Sequence, residues 1–369
     1  MQAVILVGGE GTRLRPLTYA VPKPMVPIVN RPFILHMLDE LERHGVSEVL
    51  FLIGYKPEAF LEYFPEKTYR GMKLEFVREE QPLGTAGAVK NVEDRLEESF
   101  WVLNGDILSD IDLTQVHRLF TAKDPMGVLT LTYVEDPTIY GVVETDSEGK
   151  VERFTEKPAR EEVRSHYINA GIYFLKKEAL ALVPPGVNYS FEKGLFPQLL
   201  ETPKGLYGYQ APGYWLDIGS PFKYLKANLD AALKTLQVNF PYKEVGPGVW
   251  LGEGARISMK GPVTPPLVMG QNSVIEAGAS VGGPVVLGEG CRIGGGAKIE
   301  GSLLWDKVEI GPGAEIKNCI LAQGCKIGEK IRLENWVLGK GLTLAPGELI
   351  EEQAKQLIAA GNLTFITES

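Results

Sequence analysis

The sequence predicts an open, mostly parallel α/β sheet followed by a parallel β-helix, and three observations carry that prediction. Near-continuous apolar runs of strand length alternate with amphipathic segments up to about residue 235. Glycines and aspartates stand directly after those runs, at the carboxyl ends where open α/β sheets hold their ligands. From residue 245 onward an apolar residue recurs at every sixth position. Three segments follow from this: 1–238 as the α/β domain, 239–345 as the β-helix, and 346–369 as a C-terminal helical cap or tail.

Taken in order, Val4-Ile5-Leu6-Val7, Val49-Leu50-Phe51-Leu52-Ile53 and Phe100-Trp101-Val102-Leu103 read as strands buried on both faces. Between the first two the spacing predicts a helix with Asn30 as its cap and Pro32 in its first turn. Phe33, Ile34, Met37, Leu38 and Leu41 form its apolar face, and Gly45 ends it. After Pro241-Tyr242 the helical period stops. Val245, Leu251, Ile257, Val263, Met269, Ile275, Val281, Leu287, Ile293, Ile299 and Trp305 lie six residues apart, with small residues such as Ala255, Ser273, Ala279, Cys291 and Ala297 four positions after many of them. An aliphatic at each corner and a small residue at each turn is how stacked hexapeptide coils bury one apolar column. The register slips near Ile310 and Ile316 and again near Ile327 and Leu333. Glu348 to Ala360 reads as a short helix that caps the open end.

The 369 residues are 44% hydrophobic and 23% charged, with 38 Lys and Arg against 47 Asp and Glu, a net charge of −9. That is ordinary globular composition, with length for two or three domains. The acidic balance argues against nucleic acid as a partner, because a phosphate backbone needs clustered cations. Nothing approaches the ~18 uninterrupted apolar residues that cross a bilayer, so no membrane is expected. The start, MQAVILVGGEGTRL, lacks the apolar length of a signal peptide. Cys291, Cys319 and Cys325 form no CxxC pair. A cytoplasmic protein with reduced thiols is the expectation.

The first candidate site is the turn after the first strand, Gly8-Gly9-Glu10-Gly11-Thr12-Arg13-Leu14-Arg15-Pro16-Leu17-Thr18. Glycines let the backbone turn with positive φ and aim several N–H groups at one anion, while Arg13 and Arg15 add charge. No Gly-Lys-Ser/Thr follows, and Leu14 stands where a dinucleotide fingerprint needs glycine, so the turn is neither a Walker A loop nor that fingerprint. A plain structural turn is the alternative. Pro22-Lys23-Pro24 adds a lysine on a stiff mount, facing the same pocket as Arg13 unless it is merely solvated. Asp106 and Asp217 each follow strand-like runs. Singly they read as turn or cap residues; beside a polyphosphate cradle they make sense as ligands of Mg2+, a hard cation that takes one or two carboxylates plus substrate phosphates.

Gly8-Gly9-x-Gly11-Thr12-Arg13-Leu14-x-Pro16-Leu17-Thr18 followed by Pro22-Lys23-Pro24 resembles the signature of sugar-1-phosphate nucleotidylyltransferases. Leu83-Gly84-Thr85-Ala86-Gly87, Asn104-Gly105-Asp106, Tyr140-Gly141-Val142-Val143, Phe154-Thr155-Glu156-Lys157-Pro158, Asn169-Ala170-Gly171-Ile172-Tyr173 and Trp215-Leu216-Asp217-Ile218-Gly219 follow in that family's order. The resemblance implies a Rossmann-like open mixed sheet nucleotidyltransferase domain followed by a left-handed parallel β-helix of hexapeptide repeats. It implies that Gly8, Gly9, Gly11, Thr12, Gly84 and Thr85 bind the nucleotide, that Arg13 meets the leaving pyrophosphate and that Lys23 meets the phosphates. Asp106 and Asp217 become the Mg2+ ligands. Glu156 and Asn169 with the Gly141 backbone take the sugar hydroxyls, and Lys157 takes the sugar phosphate. Glu10 is an awkward anion in such a loop and is expected to point outward.

The reaction so implied is in-line attack of a sugar 1-phosphate oxygen on the α-phosphorus of a nucleoside triphosphate, releasing pyrophosphate. It needs no general base, because a phosphate monoester with a second pKa near ~6 is already mostly dianionic at neutral pH. Aligned on Leu83-Gly84-Thr85, Glu79 falls where relatives that take uridine or thymidine nucleotides tend to have an amide. A carboxylate accepts only, which suits the adjacent N–H donors of guanine, unless Glu79 simply faces solvent. That favours GTP; the run Leu6-Val7-Gly8-Gly9 with Leu83-Gly84-Thr85-Ala86-Gly87 most resembles mannose-1-phosphate guanylyltransferases, and that resemblance implies mannose-1-phosphate as the sugar, which Glu156 and Asn169 do not by themselves specify. The alternatives are a glucose-1-phosphate uridylyl-, thymidylyl- or adenylyltransferase, or a regulatory relative that binds nucleotide sugar without turnover. An acetyltransferase in the β-helix is not expected: His36, His44, His117 and His166 all precede the repeats, and no catalytic role is expected for His36 or His44. The β-helix is expected to serve homo-oligomerisation or regulation.

Overall fold

Three apolar runs become the neighbouring strands β1 (Gln2–Leu6), β2 (Glu48–Ile53) and β4 (Ser99–Asn104), with β3 (Met72–Arg78) beyond β2. In the computed structural model, which describes residues 1–258, 261–346 and 361–366, β3-β2-β1-β4 pair in parallel, with Val4 opposite Leu50 on one side and Val102 on the other. Such pairs, closed to water on both faces, require the unbroken Val, Ile and Leu runs of the sequence. From β4 outward the pairing changes sense. β8 (Tyr167–Lys176) runs antiparallel to β4, and β6 (Gly141–Thr145) and β7 (Val151–Glu156) continue antiparallel to the edge. β5 (Gly127–Tyr133) pairs with β8, and β9 (Leu206–Gln210) with β5. The sheet is thus mixed.

The chain divides into two compact units, Met1–Gly9 with Met37–Trp215, and Glu10–His36 with Leu216–Ser369. The first holds the sheet. Its core joins Val4, Leu50, Phe100 and Val102 to Phe191, Leu195 and Phe196.

Helix α1 (Phe33–Arg43) buries Phe33, Ile34, Met37, Leu38 and Leu41, and the chain turns out of it at Gly45 with φ +79°. Its start differs from the expectation. Pro32 belongs to the short strand Arg31–Pro32, paired with Pro27–Ile28, and Asn30 is drawn away from any cap: its Nδ2 donates to the Leu287 carbonyl at 2.7 Å. The Phe33 N–H at the helix start donates instead to the Val26 carbonyl at 2.9 Å, so the short strand pair takes over the role of a side-chain cap.

In the second unit, short strands stack in parallel into the three faces of a β-helix. Ile257 stacks on Ile275, and Ile275 on Ile293, eighteen residues apart. Ile293 then stacks on Ile310, and Ile310 on Ile327, seventeen apart. One residue is lost per coil, and the first loss falls earlier than the sequence suggests: Leu304, not Trp305, stacks on Leu287. Trp305 is buried, and its indole N–H donates to the Tyr224 hydroxyl at 3.1 Å. Ser273, Ala279, Cys291 and Ala297 fill the turns fully buried. The Ser273 hydroxyl donates to the Gly288 carbonyl and accepts from the Cys291 N–H, so that turn keeps its polar groups satisfied. The expected helix at Glu348 to Ala360 lies outside the described residues.

Candidate active site

In the sheet-bearing unit the polar groups collect at the carboxyl ends of the parallel strands. β1 runs out into Gly8, where an added Cβ would lie 2.8 Å from Glu79 Oε2. Glu79 follows β3 and is tied to β2 by its N–H, which donates to the Ile53 carbonyl at 2.9 Å. Its carboxyl is half buried, and burial raises its pKa against a backbone hydrogen bond from Leu83 that lowers it. Asp106 follows β4, and Gly105 lets the two strand ends close up: its N–H donates to the Leu6 carbonyl at 2.9 Å, and a Cβ there would strike Val7.

The start of the helix Gly84–Lys90, which carries Gly84 and Thr85, is pinned to a distant segment. Gly84 has φ +69°, and a Cβ on it would sit 2.7 Å from the Tyr189 carbonyl oxygen, so only glycine fits. Tyr189 N–H donates to the Leu83 carbonyl, and Phe191 N–H donates to Thr85 Oγ1 at 2.9 Å. Thr85 thus spends its hydroxyl on the protein itself.

Gly141, Glu156, Lys157 and Asn169 converge in the same unit. Gly141 and Glu156 face each other across the β6–β7 ladder, and a Cβ on Gly141 would lie 2.9 Å from Glu156 Oε2. Lys157 leaves the strand with φ +51°, and its ammonium stands 3.9 Å from Glu156 Oε1. Asn169 donates to the Tyr173 hydroxyl at 2.8 Å and accepts from the Gly171 N–H. Burial raises the pKa of Glu156, and the nearby Glu192 carboxylate raises it further, against Lys157 and Lys193. The motifs quoted from the sequence do not include Glu192. The only local cue is Ser190-x-Glu192, in which the serine hydroxyl accepts from the backbone N–H of Glu192 and Lys193.

In the β-helix unit, Gly11 turns with φ +64°, and a Cβ there would lie 3.1 Å from Lys23 Cβ. The lysine stem thus packs on the glycine turn. Its mount is a single helical turn closed by the Met25 N–H donating to the Pro22 carbonyl at 2.8 Å. Glu10 points to solvent and pairs with Arg15 at 2.9 Å, the outward orientation that the sequence predicts. Arg13 and Asp217 meet over Gly219: an added Cβ would lie 3.2 Å from Arg13 Nη2 and 3.0 Å from Asp217 Oδ2. The other oxygen of Asp217 is paired with the Lys223 ammonium, which stands in the first turn of α2 (Pro221–Ala232), a helix capped by Ser220. The Lys223 contact escaped the sequence reading, since a helix-face lysine carries no distinguishing pattern.

The predicted residues therefore gather in two groups. Glu79, Gly8, Gly84, Thr85, Asp106, Gly141, Glu156, Lys157 and Asn169 belong to the sheet unit, whereas Gly11, Thr12, Arg13, Lys23 and Asp217 belong to the β-helix unit. Gly9 ends the first group, and a Cβ on it would meet nothing within 4 Å. The histidines are spent on structure: His44 Nε2 pairs with Glu40 at 2.8 Å, and His36 Nε2 lies 3.1 Å from the Ile28 carbonyl.

A mixed α/β sheet with polar strand ends, a glycine turn bearing a guanidinium and a lysine, and an appended β-helix define an α/β protein of the nucleotide-handling class. The chain belongs to the nucleotidyl transferase family, whose sequence profile matches residues 2–234. The profile of the EIF2B subunit epsilon LbH domain matches residues 247–350. Among individual proteins, the mannose-1-phosphate guanylyltransferase of Mycobacterium tuberculosis is 38% identical over 232 residues, 62% of this chain. The mannose-1-phosphate guanyltransferase of Saccharomyces cerevisiae is 39% identical over 236 residues. The chain spans 64% of the length of each of these relatives. Among solved structures, HddC from Yersinia pseudotuberculosis superposes with a TM-score of 0.53 at 30% identity, over 62% of this chain and 97% of its own.

Proposed function

We propose that the chain transfers the guanylyl group of GTP to mannose-1-phosphate, giving GDP-mannose and pyrophosphate. The names borne by its relatives support this pair, and the half-buried Glu79 carboxylate against Gly8 supports the base, since a carboxylate is an acceptor that suits a purine edge with two N–H donors. The observation that carries the reaction class is the meeting of Arg13 and Asp217 over Gly219, beside a glycine turn on which Lys23 packs.

The chemistry then follows from charge. Two ligands with roughly six negative charges between them must meet, and the attacking phosphate is already ionised. Arg13 and Lys23 offset the triphosphate and stabilise the departing pyrophosphate, while Lys157 neutralises the sugar phosphate. Glu156 and Asn169 orient the ring for in-line attack. Catalysis is positioning plus electrostatic stabilisation.

The donor chemistry of Asp106 and Asp217 fits Mg2+, and Asp217 already faces a cation in Lys223. No group of three or more His, Cys, Asp or Glu suited to a metal occurs among the described residues, so phosphate oxygens and water would complete the shell. The ion, held by these two carboxylates, would supply positive charge to the phosphates. We place the reaction in the cytoplasm, in keeping with three free thiols; among the described residues no helix is long and apolar enough to cross a membrane. We assign the β-helix to homo-oligomerisation, read by light scattering of the purified chain.

The deciding assay is release of pyrophosphate from GTP plus mannose-1-phosphate, set against other nucleotide and sugar pairs. Turnover should be greatest with that pair. Asp106→Asn and Asp217→Asn should each abolish Mg2+-dependent turnover with an unchanged circular dichroism spectrum, and Arg13→Ala should slow it on the order of 10³-fold. Near-normal activity in either aspartate variant would remove the metal assignment.

A further inference from the structure

Glu192 stands between the start of the helix Gly84–Lys90, which carries Thr85, and strand β8, which carries Asn169 and Tyr173. Three hydroxyls reach its carboxylate: Ser190 Oγ at 2.6 Å and Thr85 Oγ1 at 3.4 Å donate to Oε2, and the Tyr173 hydroxyl donates to Oε1 at 3.4 Å. That same tyrosine hydroxyl accepts from Asn169, one of the proposed sugar-pocket residues, and Thr85 is one of the proposed nucleotide-binding residues. A carboxylate accepts about four hydrogen bonds, so Oε1 keeps capacity to spare.

Its other neighbour is Glu156. Burial raises the pKa of Glu156 and the Glu192 carboxylate raises it further, while the Lys157 ammonium stands 3.9 Å from Glu156 Oε1. Folding alone gains little from such an arrangement. A ligand that brings several neutral O–H donors gives both acids partners, and this is the chemistry of a sugar ring with adjacent hydroxyls. Gly141 lets its backbone come close to Glu156 and Phe154: a Cβ there would lie 2.9 Å from Glu156 Oε2 and 2.6 Å from Phe154 Cζ.

We propose that Glu192 is a sugar-reading residue, which together with Glu156 accepts hydroxyl hydrogens of the hexose and so discriminates between sugar 1-phosphates that differ in the configuration of one hydroxyl. The inference rests on the sugar 1-phosphate reading of this pocket and adds the residue that selects among such substrates. Ser190 and Thr85 act as positioning residues that aim the carboxylate.

The test is steady-state kinetics of the full chain with GTP against mannose-1-phosphate and glucose-1-phosphate, comparing wild type with Glu192→Gln and Glu192→Asp. Glu192→Gln should raise the KM for the preferred sugar phosphate roughly tenfold or more and shrink the preference between the two sugars, with the KM for GTP changed less than about twofold. Because Glu156 loses a repelling neighbour and keeps Lys157 and Lys193, the acidic limb of the kcat/KM profile should move to lower pH. Glu192→Asp keeps the charge but withdraws it by one methylene, so it should raise the sugar KM while leaving the limb nearly in place. An unchanged sugar KM in either folded variant, or an equal rise for GTP and sugar, would make Glu192 a structural anchor only and overturn the proposal. If the wild type fails to use GTP, the proposed function falls separately. Glu192 is then judged by calorimetric binding of the two sugar phosphates, where absence of binding to the wild type, or equal binding by wild type and Glu192→Gln, also overturns it.

Discussion

In the proposed reaction, Glu79 and Gly8 would set the base preference with one side chain and one missing side chain. The carboxylate lies 2.8 Å from the position a Gly8 Cβ would take, so any base entering there meets an acceptor rather than a methyl group. Burial holds the pKa of Glu79 above the ordinary glutamate range, and ionisation is therefore completed at a higher pH than for an exposed glutamate. Glu79→Gln replaces half of that acceptor with a donor. The expected outcome is a fall in kcat/KM for GTP on the order of tenfold to a hundredfold, with less change for UTP and dTTP, since a site built to pair with N–H donors is then left with a mismatched group. Competition between the three nucleotides in one assay measures it; an unchanged preference refutes the base assignment. At this scale the sequence disclosed residue types and little of their company. Glu156 was legible because it stands beside Lys157 in a recognisable run. Glu192 was not, because its significance lies in facing Glu156, Tyr173 and Thr85, which the chain supplies from three other elements.

At the scale of elements, the β-helix was the most legible part, since a coil must return an apolar residue to the same buried column on every turn. What the periodicity hid was coil length. After Leu287 each coil is seventeen residues rather than eighteen, so a strict six-residue count lands on Trp305 when Leu304 is the residue in the column. A tryptophan satisfies an apolar pattern, and only its hydrogen bond to Tyr224 reveals that it packs elsewhere. Leu321 stands in the middle of the true column, stacked on Leu304 below and Leu338 above, with no exposed surface. Leu321→Ala should therefore lower stability by about 2–5 kcal/mol, read as a shift of the urea unfolding midpoint. The conservative replacement of Lys317 by Arg on the exposed face, where an ion pair to Glu334 spans 2.8 Å, should change it by less than about 0.5 kcal/mol. A small loss at Leu321 would mean the coils collapse around the gap.

For the molecule as a whole, the three cysteines report on the integrity of the β-helix. Cys291, Cys319 and Cys325 are free and buried in its apolar column, and burial pushes each thiol up to about 12. The thiolate is the reactive form, so the native chain at pH 8 should show no prompt reaction with a thiol-disulfide exchange reagent, and all three thiols should react once the chain is unfolded in guanidinium. Prompt labelling of the native state would contradict the buried column. Local regularity in the sequence was enough to determine the strands of the parallel sheet, the apolar face of α1, the stacked coils and the chemical types gathered at the strand ends, because burial repeats with the period of the element that produces it. Tertiary structure alone decided that Glu10–His36 is grouped with Leu216–Ser369, that Arg13 meets Asp217 over Gly219, and that Asn30 serves a β-helix carbonyl instead of capping a helix. These outcomes depend on how closely remote backbones approach and which polar groups they bring within reach of one another, and neither quantity is written in the spacing of residues along the chain.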